Sequence, residues 1–210
     1  LEMLGQWANQ DPRDRVLNAH RPLSVRDELA AKEALVPHID SLITAPELVR
    51  EKAIDVASRL RIASIAPSLI KRVRDADLSP ATRAVSLAAL NRLDPSNAVA
   101  LAKQVKMKPV TELLPEALRV LAQHDAGESL PLFIEGTDSR SLKVRQLAWD
   151  ILAYSTDPDA LAAIEKGIQS YLDASLSTDV HLNVLEAAEG KLSEDLQESL
   201  EKHVKAATDT

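Results

Sequence analysis

One helical phrase recurs four times along this chain at nearly constant interval. It reads Val49-Arg50-x-x-Ala53-x-x-Val56-Ala57-x-x-Leu60, then Thr82-Arg83-x-x-Ser86-x-x-Ala89-Leu90-x-x-Leu93. A weaker copy is Leu114-Pro115-x-x-Leu118-x-x-Leu121-Ala122, and the fourth is Val144-Arg145-x-x-Ala148-x-x-Ile151-Leu152. The phase positions 50, 83, 115 and 145 lie 33, 32 and 30 residues apart. Self-similarity at this period means stacked helix pairs, each too small to bury its own apolar face and sealed by its neighbours.

The turn chemistry between these helices agrees. Ser79-Pro80, Asp94-Pro95 and Asp157-Pro158 each set a capping side chain before a proline whose missing N–H costs nothing at the first helical position. Gly127 and Gly190 fall where helices end. No useful run of period-2 alternation occurs, so strands are not expected. The first helices of each pair are read at about 46–61, 80–92, 110–123, 139–155 and 179–190. The second helices are read at about 64–74, 95–107, 127–136 and 158–173, with a last helix at 193–207. Upstream, Leu1 to Ala8 reads as a helix end. Ser24 is placed to cap a helix over 25–43 that buries Leu29, Leu35, Val36, Ile39, Leu42 and Ile43. Thr44-Ala45-Pro46-Glu47 has capping-box spacing. The reading is therefore all-α, a right-handed α-α superhelix of five to six pairs forming one domain over 1–210. Its pairs are 46–78, 79–109, 110–138, 139–176 and 177–210, after N-terminal helices at 1–45 that are interrupted by an irregular loop at 10–24.

Composition narrows the function classes. Hydrophobic residues make up 45% of the chain but aromatics only 2%, so Leu, Ala, Val and Ile pack closely spaced helices. Cysteine is absent, which removes disulfides, thiolate metal sites, covalent haem attachment and cysteine nucleophiles. No apolar run reaches the length of a membrane helix. Leu1 opens in mid-pattern, which reads as a fragment of something longer, so a missing leader says nothing about the parent.

The net charge of −7 conceals an asymmetry: −2 over residues 1–50, +6 over 51–110 and −11 over 111–210. The basic middle is the best case for binding a nucleic-acid backbone, with Arg72, Arg74, Lys103 and Lys106 as candidate anion contacts within 59–108. Against it stand the acidic neighbouring segment and the scarcity of aromatic stacking residues.

The repeated Arg50, Arg83 and Arg145 admit two readings. They form a cation ladder for an anionic partner, or they tie one repeat to the next, for example by pairing Arg83 with Asp77 and Arg145 with Asp138. The tie is favoured, because repeat stacks need such interfaces. The loop around 7–27 concentrates Trp7, Arg13, Asp14, Arg15, Arg21 and Arg26, and is read evenly as a docking surface or as an internal salt-bridge network. The five histidines lack same-face ligand spacing, and the acid pairs near 194–201 read as solvated charge. The sequence marks no cleft, no nucleophile elbow and no phosphate-cradling loop. No catalytic residue, cofactor or metal ligand is expected.

The V-R-x-x-A helices resemble HEAT repeats of the phycobilisome-lyase-like type, an armadillo-like α solenoid. Two end phrases are similar to a more specific family: Trp7 followed by Pro12-Arg13-Asp14-Arg15-Val16, Arg21-Pro22-Leu23 and Arg26-Asp27, and Leu182-Asn183-Val184-Leu185-Glu186-Ala187-Ala188. They resemble the HEAT region of large bacterial haem-binding proteins that join a sorbosone-dehydrogenase-like β-propeller to a C-terminal cytochrome c module. Asn183 stands where that family has Asp. The resemblance implies a non-catalytic scaffold between a redox domain and its cytochrome, with partner domains from the same parent chain and an exported, periplasmic parent. The family's catalytic and haem-ligating motifs lie outside this chain, so none of its site residues carries over.

Overall fold

A computed structural model describes residues 1–7, 11–13, 16–20, 24, 26–105 and 111–208, and of 207–208 the backbone alone. The described residues are helical, with no β-strand among them; an isolated antiparallel bridge joins Arg13 and His20. Contacts gather the chain into two compact units, Leu1–Gln104 and Val105–Thr210.

The first unit contains α1 (Glu2–Gly5), α2 (Glu28–Leu35), α3 (Ile39–Ile43), α4 (Glu47–Arg59), α5 (Ala66–Arg74), α6 (Pro80–Leu93) and α7 (Pro95–Ala102). The single helix expected over 25–43 is broken. A 3-10 turn at Val36–His38 separates α2 from α3, because Pro37 has no N–H to donate and its ring crowds the preceding turn. The N-cap is Asp27, whose carboxylate accepts from Leu29 N at 2.9 Å, rather than Ser24. Leu29 and Val36 face outward at 53% and 43% exposure, while Ala31, Leu35 and Ile39 are buried. The capping box at Thr44 does not form either. The Thr44 hydroxyl donates to the carbonyls of Asp40 and Ser41, and Glu47 instead accepts from the Thr82 hydroxyl. In this unit α6 packs on α4, and α5 lies against both α6 and α7.

The second unit contains α8 (Leu113–His124), α9 (Leu130–Gly136), α10 (Leu142–Leu152), α11 (Pro158–Leu172), α12 (His181–Ala188) and α13 (Glu194–Thr208). Here α10 packs between α8 and α12, and α11 lies against α9, α12 and α13. Neighbouring pairs thus meet like with like, in two layers. The small residue of the repeated phrase makes this approach close: Ala53, Ser86 and Ala148 are all fully buried. At Gly167 the fit is tighter still, since a Cβ there would lie 2.7 Å from the Trp149 ring and 3.2 Å from Val184.

The three proline-linked caps form as read. Ser79 accepts from Thr82 N at 3.1 Å, Asp94 from Asn97 N at 3.1 Å and Asp157 from Asp159 N at 2.9 Å. The Asn97 side chain, and then its backbone N–H, hold the Asp94 carboxyl below the usual carboxylate range.

Polar ties recur one repeat apart in sequence. Thr82 donates to Glu47 and Arg92 to Ser58, 35 and 34 residues away. Arg145 donates to Asp179 and Asn183 to Asp150, 34 and 33 residues away. Three helix ends turn through a left-handed residue: Arg61 after α4, Ala174 after α11 and Gly190 after α12. At Ala174 the φ is 59°, and Ser175 N reaches back to the Ser170 carbonyl at 3.0 Å, the six-to-one bond of a Schellman cap. A Cβ is strained in that conformation and glycine is not. Ala174→Gly is therefore expected to raise stability by about 1 kcal/mol, read as a higher urea midpoint with unchanged slope.

Candidate functional site

The structure brings together a site that the sequence did not mark. In the second unit an open cleft of about 860 Å³ runs between the C-terminal halves of α8 and α10. It extends under the turns that lead from α8 into α9 and from α10 into α11. Its floor is apolar, built from Ala122, Leu130, Phe133, Leu147 and Ile151. Its rim is polar, with Arg119, Gln123, Asp150, Tyr154 and Asp157.

The first helices of the pairs carry their buried residues in one common register. Four residues after the phase position stand Ile54, Leu87 and Trp149, each at most 4% exposed. In the third copy the buried residues are Ala117, Leu118, Val120 and Leu121, so Leu118 takes that place and Arg119 faces outward, with a side chain 52% exposed and paired with Glu116 at 3.2 Å. In that register Leu114 stands where the others carry arginine. Arg119 thus corresponds to Asp55, Ala88 and Asp150 and keeps its head in water at the rim of the cleft. Gly127 adds to the opening, since a Cβ on it would meet nothing within 4 Å.

The rim groups are held in place. Asp150 accepts from the Asn183 amide at 2.8 Å. Ser155 accepts from Asp157 N at 3.2 Å, and Asp157 in turn caps α11. The carbonyls that end α10 are taken by Lys191, whose ammonium donates to Leu152, Ala153 and Ser155. Tyr154 stands clear of these ties at 91% exposure.

The arginines of the repeat are structural, but with other partners than expected. Arg83 donates through Nε to the Val73 carbonyl at 2.8 Å rather than pairing with Asp77. Arg50 reaches the Ala45 carbonyl at 3.1 Å. Arg145 donates to the Ser139 carbonyl at 2.8 Å and to Asp179 at 2.6 Å, not to Asp138. Each reaches back to a main-chain oxygen upstream of its own helix, in the last turn of α5 for Arg83 and in the turn before the helix for Arg50 and Arg145, the kind of acceptor a helix end or turn leaves open.

In the basic middle, Arg72 is half-buried and its Nε donates to the Ser86 hydroxyl at 3.3 Å. Burial, and then the neighbouring Arg50 charge, lower its pKa from the ordinary guanidinium value. Asp55 sits between Arg59 at 3.1 Å and Arg92 at 3.7 Å, which neutralises part of the same face. Arg74 and Lys103 are exposed, and Lys106 lies outside the described residues.

In the N-terminal loop, the Arg26 guanidinium lies 4.7 Å from the centre of the Trp7 ring. Arg13 binds the Asp11 carboxylate through its own N–H at 2.9 Å and Asn18 through its side chain at 3.4 Å. Asp14, Arg15 and Arg21 lie outside the described residues. Among the described residues no three His, Asp or Glu groups gather as a metal site, and no helix is long and apolar enough to cross a membrane. His181 and His203 both meet the Tyr171 ring edge-on, at 4.8 and 5.4 Å between centroids.

Of the residues lining this cleft, the sequence reading did not single out Arg119, Asp150 and Tyr154 as site residues. No family model, no curated protein and no solved structure matches the chain.

Proposed function

We infer that this chain is a non-catalytic scaffold and protein-interaction module, its helix pairs stacking in a HEAT-like, right-handed α-α superhelix. The observation that carries this reading is the recurrence of side-chain ties at one repeat spacing, 33 to 35 residues apart, in both units. Such ties are what a quasi-one-dimensional stack requires, because each pair is stabilised by its neighbours. The cleft at Arg119 gives the module a place to hold a partner: an apolar floor with a few fixed polar groups is the usual form of a binding site.

The partners proposed on the resemblance are a sorbosone-dehydrogenase-like propeller and a cytochrome c domain of the same parent. Analytical ultracentrifugation of the chain mixed with each of these domains tests the reading. Saturable complexes are expected, with no turnover of sugar or alcohol substrates by the chain alone. The competing reading is a nucleic-acid backbone binder using residues 59–108. Duplex DNA binding that weakens steeply with salt and falls on Arg74→Ala would favour it and overturn the scaffold assignment. The ties on Arg72, Arg59 and Arg92 weigh against that result.

A further inference from the structure

We propose that the cleft between α8 and α10 takes an extended peptide segment in which an aliphatic side chain stands next to a lysine or arginine. The inference rests on the protein-interaction reading above and specifies the partner's chemistry.

The apolar half of the argument is the floor. Ala122, Leu147 and Ile151 line it half-buried and keep apolar surface open, next to the buried Leu130 and Phe133. An aliphatic side chain inserted there would be removed from water on several sides. The cleft is open along the turns, which suits a chain that runs through it better than an enclosed small molecule.

The charged half is the rim. Arg119 is already balanced by Glu116, leaving the Asp150 and Asp157 carboxylates as the rim's other charges. Asp150 has its Oδ1 on Asn183 and stands exposed. Tyr154 follows four residues later, almost fully exposed, in the turn after α10. An exposed carboxylate and an uncovered phenol ring on one rim offer a cation both charge and a ring face. The wider field has the same sign: residues 105–210 carry 10 basic and 19 acidic side chains, a net of −9. Such a field speeds the encounter with basic segments and repels acidic ones.

The probes are three fluorescein-labelled nonapeptides, alternating Leu with Lys, Leu with Glu, and Ser with Lys, titrated into the full chain by fluorescence anisotropy. Only the Leu–Lys peptide is expected to bind saturably. Tyr154→Ala removes no charge and is expected to weaken it about fivefold, and Asp150→Asn about threefold. Gly127→Trp, which places a ring over the opening, is expected to abolish binding. Each variant is checked for unchanged circular dichroism. Equal binding of the Leu–Lys and Ser–Lys peptides, or affinity untouched by Tyr154→Ala and Gly127→Trp, would reduce the effect to general attraction by an acidic surface and overturn the proposal. Preferential binding of the Leu–Glu peptide, or no binding by any peptide, would overturn it as well. Those outcomes leave the scaffold reading standing, since that reading fails on its own test, substrate turnover or salt-dependent duplex binding.

Discussion

Phe133→Ala is expected to cost about 3–5 kcal/mol of stability, the range for deleting a buried aromatic side chain. Phe133 is the chain's single phenylalanine and is 1% exposed. It packs in α9 and forms the floor of the cleft, so its removal joins a new cavity to an existing opening. The surrounding helices are tied by side chains at their ends and have limited freedom to collapse into the gap. The measurement is the urea midpoint, with the slope unchanged if the native state keeps its compactness. Tyr154→Ala, on the rim of the same cleft, is expected to stay within about 0.5 kcal/mol of the parent chain, as is usual for surface sites. A reversed order would place the core of this unit elsewhere.

Arg145→Ala is expected to cost about 2–3 kcal/mol. The side chain is 18% exposed and joins three segments: its own helix α10, the turn before it through the Ser139 carbonyl, and the turn before α12 through Asp179. Truncation leaves a carbonyl and a carboxylate without their cationic donor. Arg145→Lys keeps the charge but lacks the fork that reaches both acceptors, so it should recover only part of the loss. Thermal unfolding followed at 222 nm reads the difference.

The order of the fold was legible because its signals are local. Ser79, Asp94 and Asp157 cap the helices that follow them, and each needs only its own neighbours to do so. The Thr44–Glu47 box had the same spacing and failed, because Glu47 finds Thr82 in the next pair and Thr44 finds the carbonyls of the helix before it. A local motif loses when a tertiary partner competes for the same group. Pro37 was legible as a helix breaker and was passed over; the 3-10 turn at that point is its consequence.

The role of the repeated arginines was readable, but their acceptors were not. A search for acids nearby finds Asp77 and Asp138, whereas the actual acceptors of Arg83 and Arg145 include main-chain oxygens of Val73 and Ser139. Carbonyl acceptors are present at every residue and leave no trace in sequence. The cleft left no mark of its own in the sequence, since Leu118 fills the buried position of the third copy and Arg119 an outward one. Its floor left none either, because Leu130, Phe133 and Ile151 read as ordinary core positions.

The claim at the centre of this account is that polar side chains one repeat apart couple adjacent helix pairs. A double-mutant cycle on Arg145→Ala and Asp179→Ala, read by urea unfolding, addresses it directly. The predicted coupling is about 1–2 kcal/mol, above the median for exposed pairs because the arginine is mostly buried. Coupling near zero, with the two single losses simply adding, would contradict the assignment of these residues as inter-pair ties.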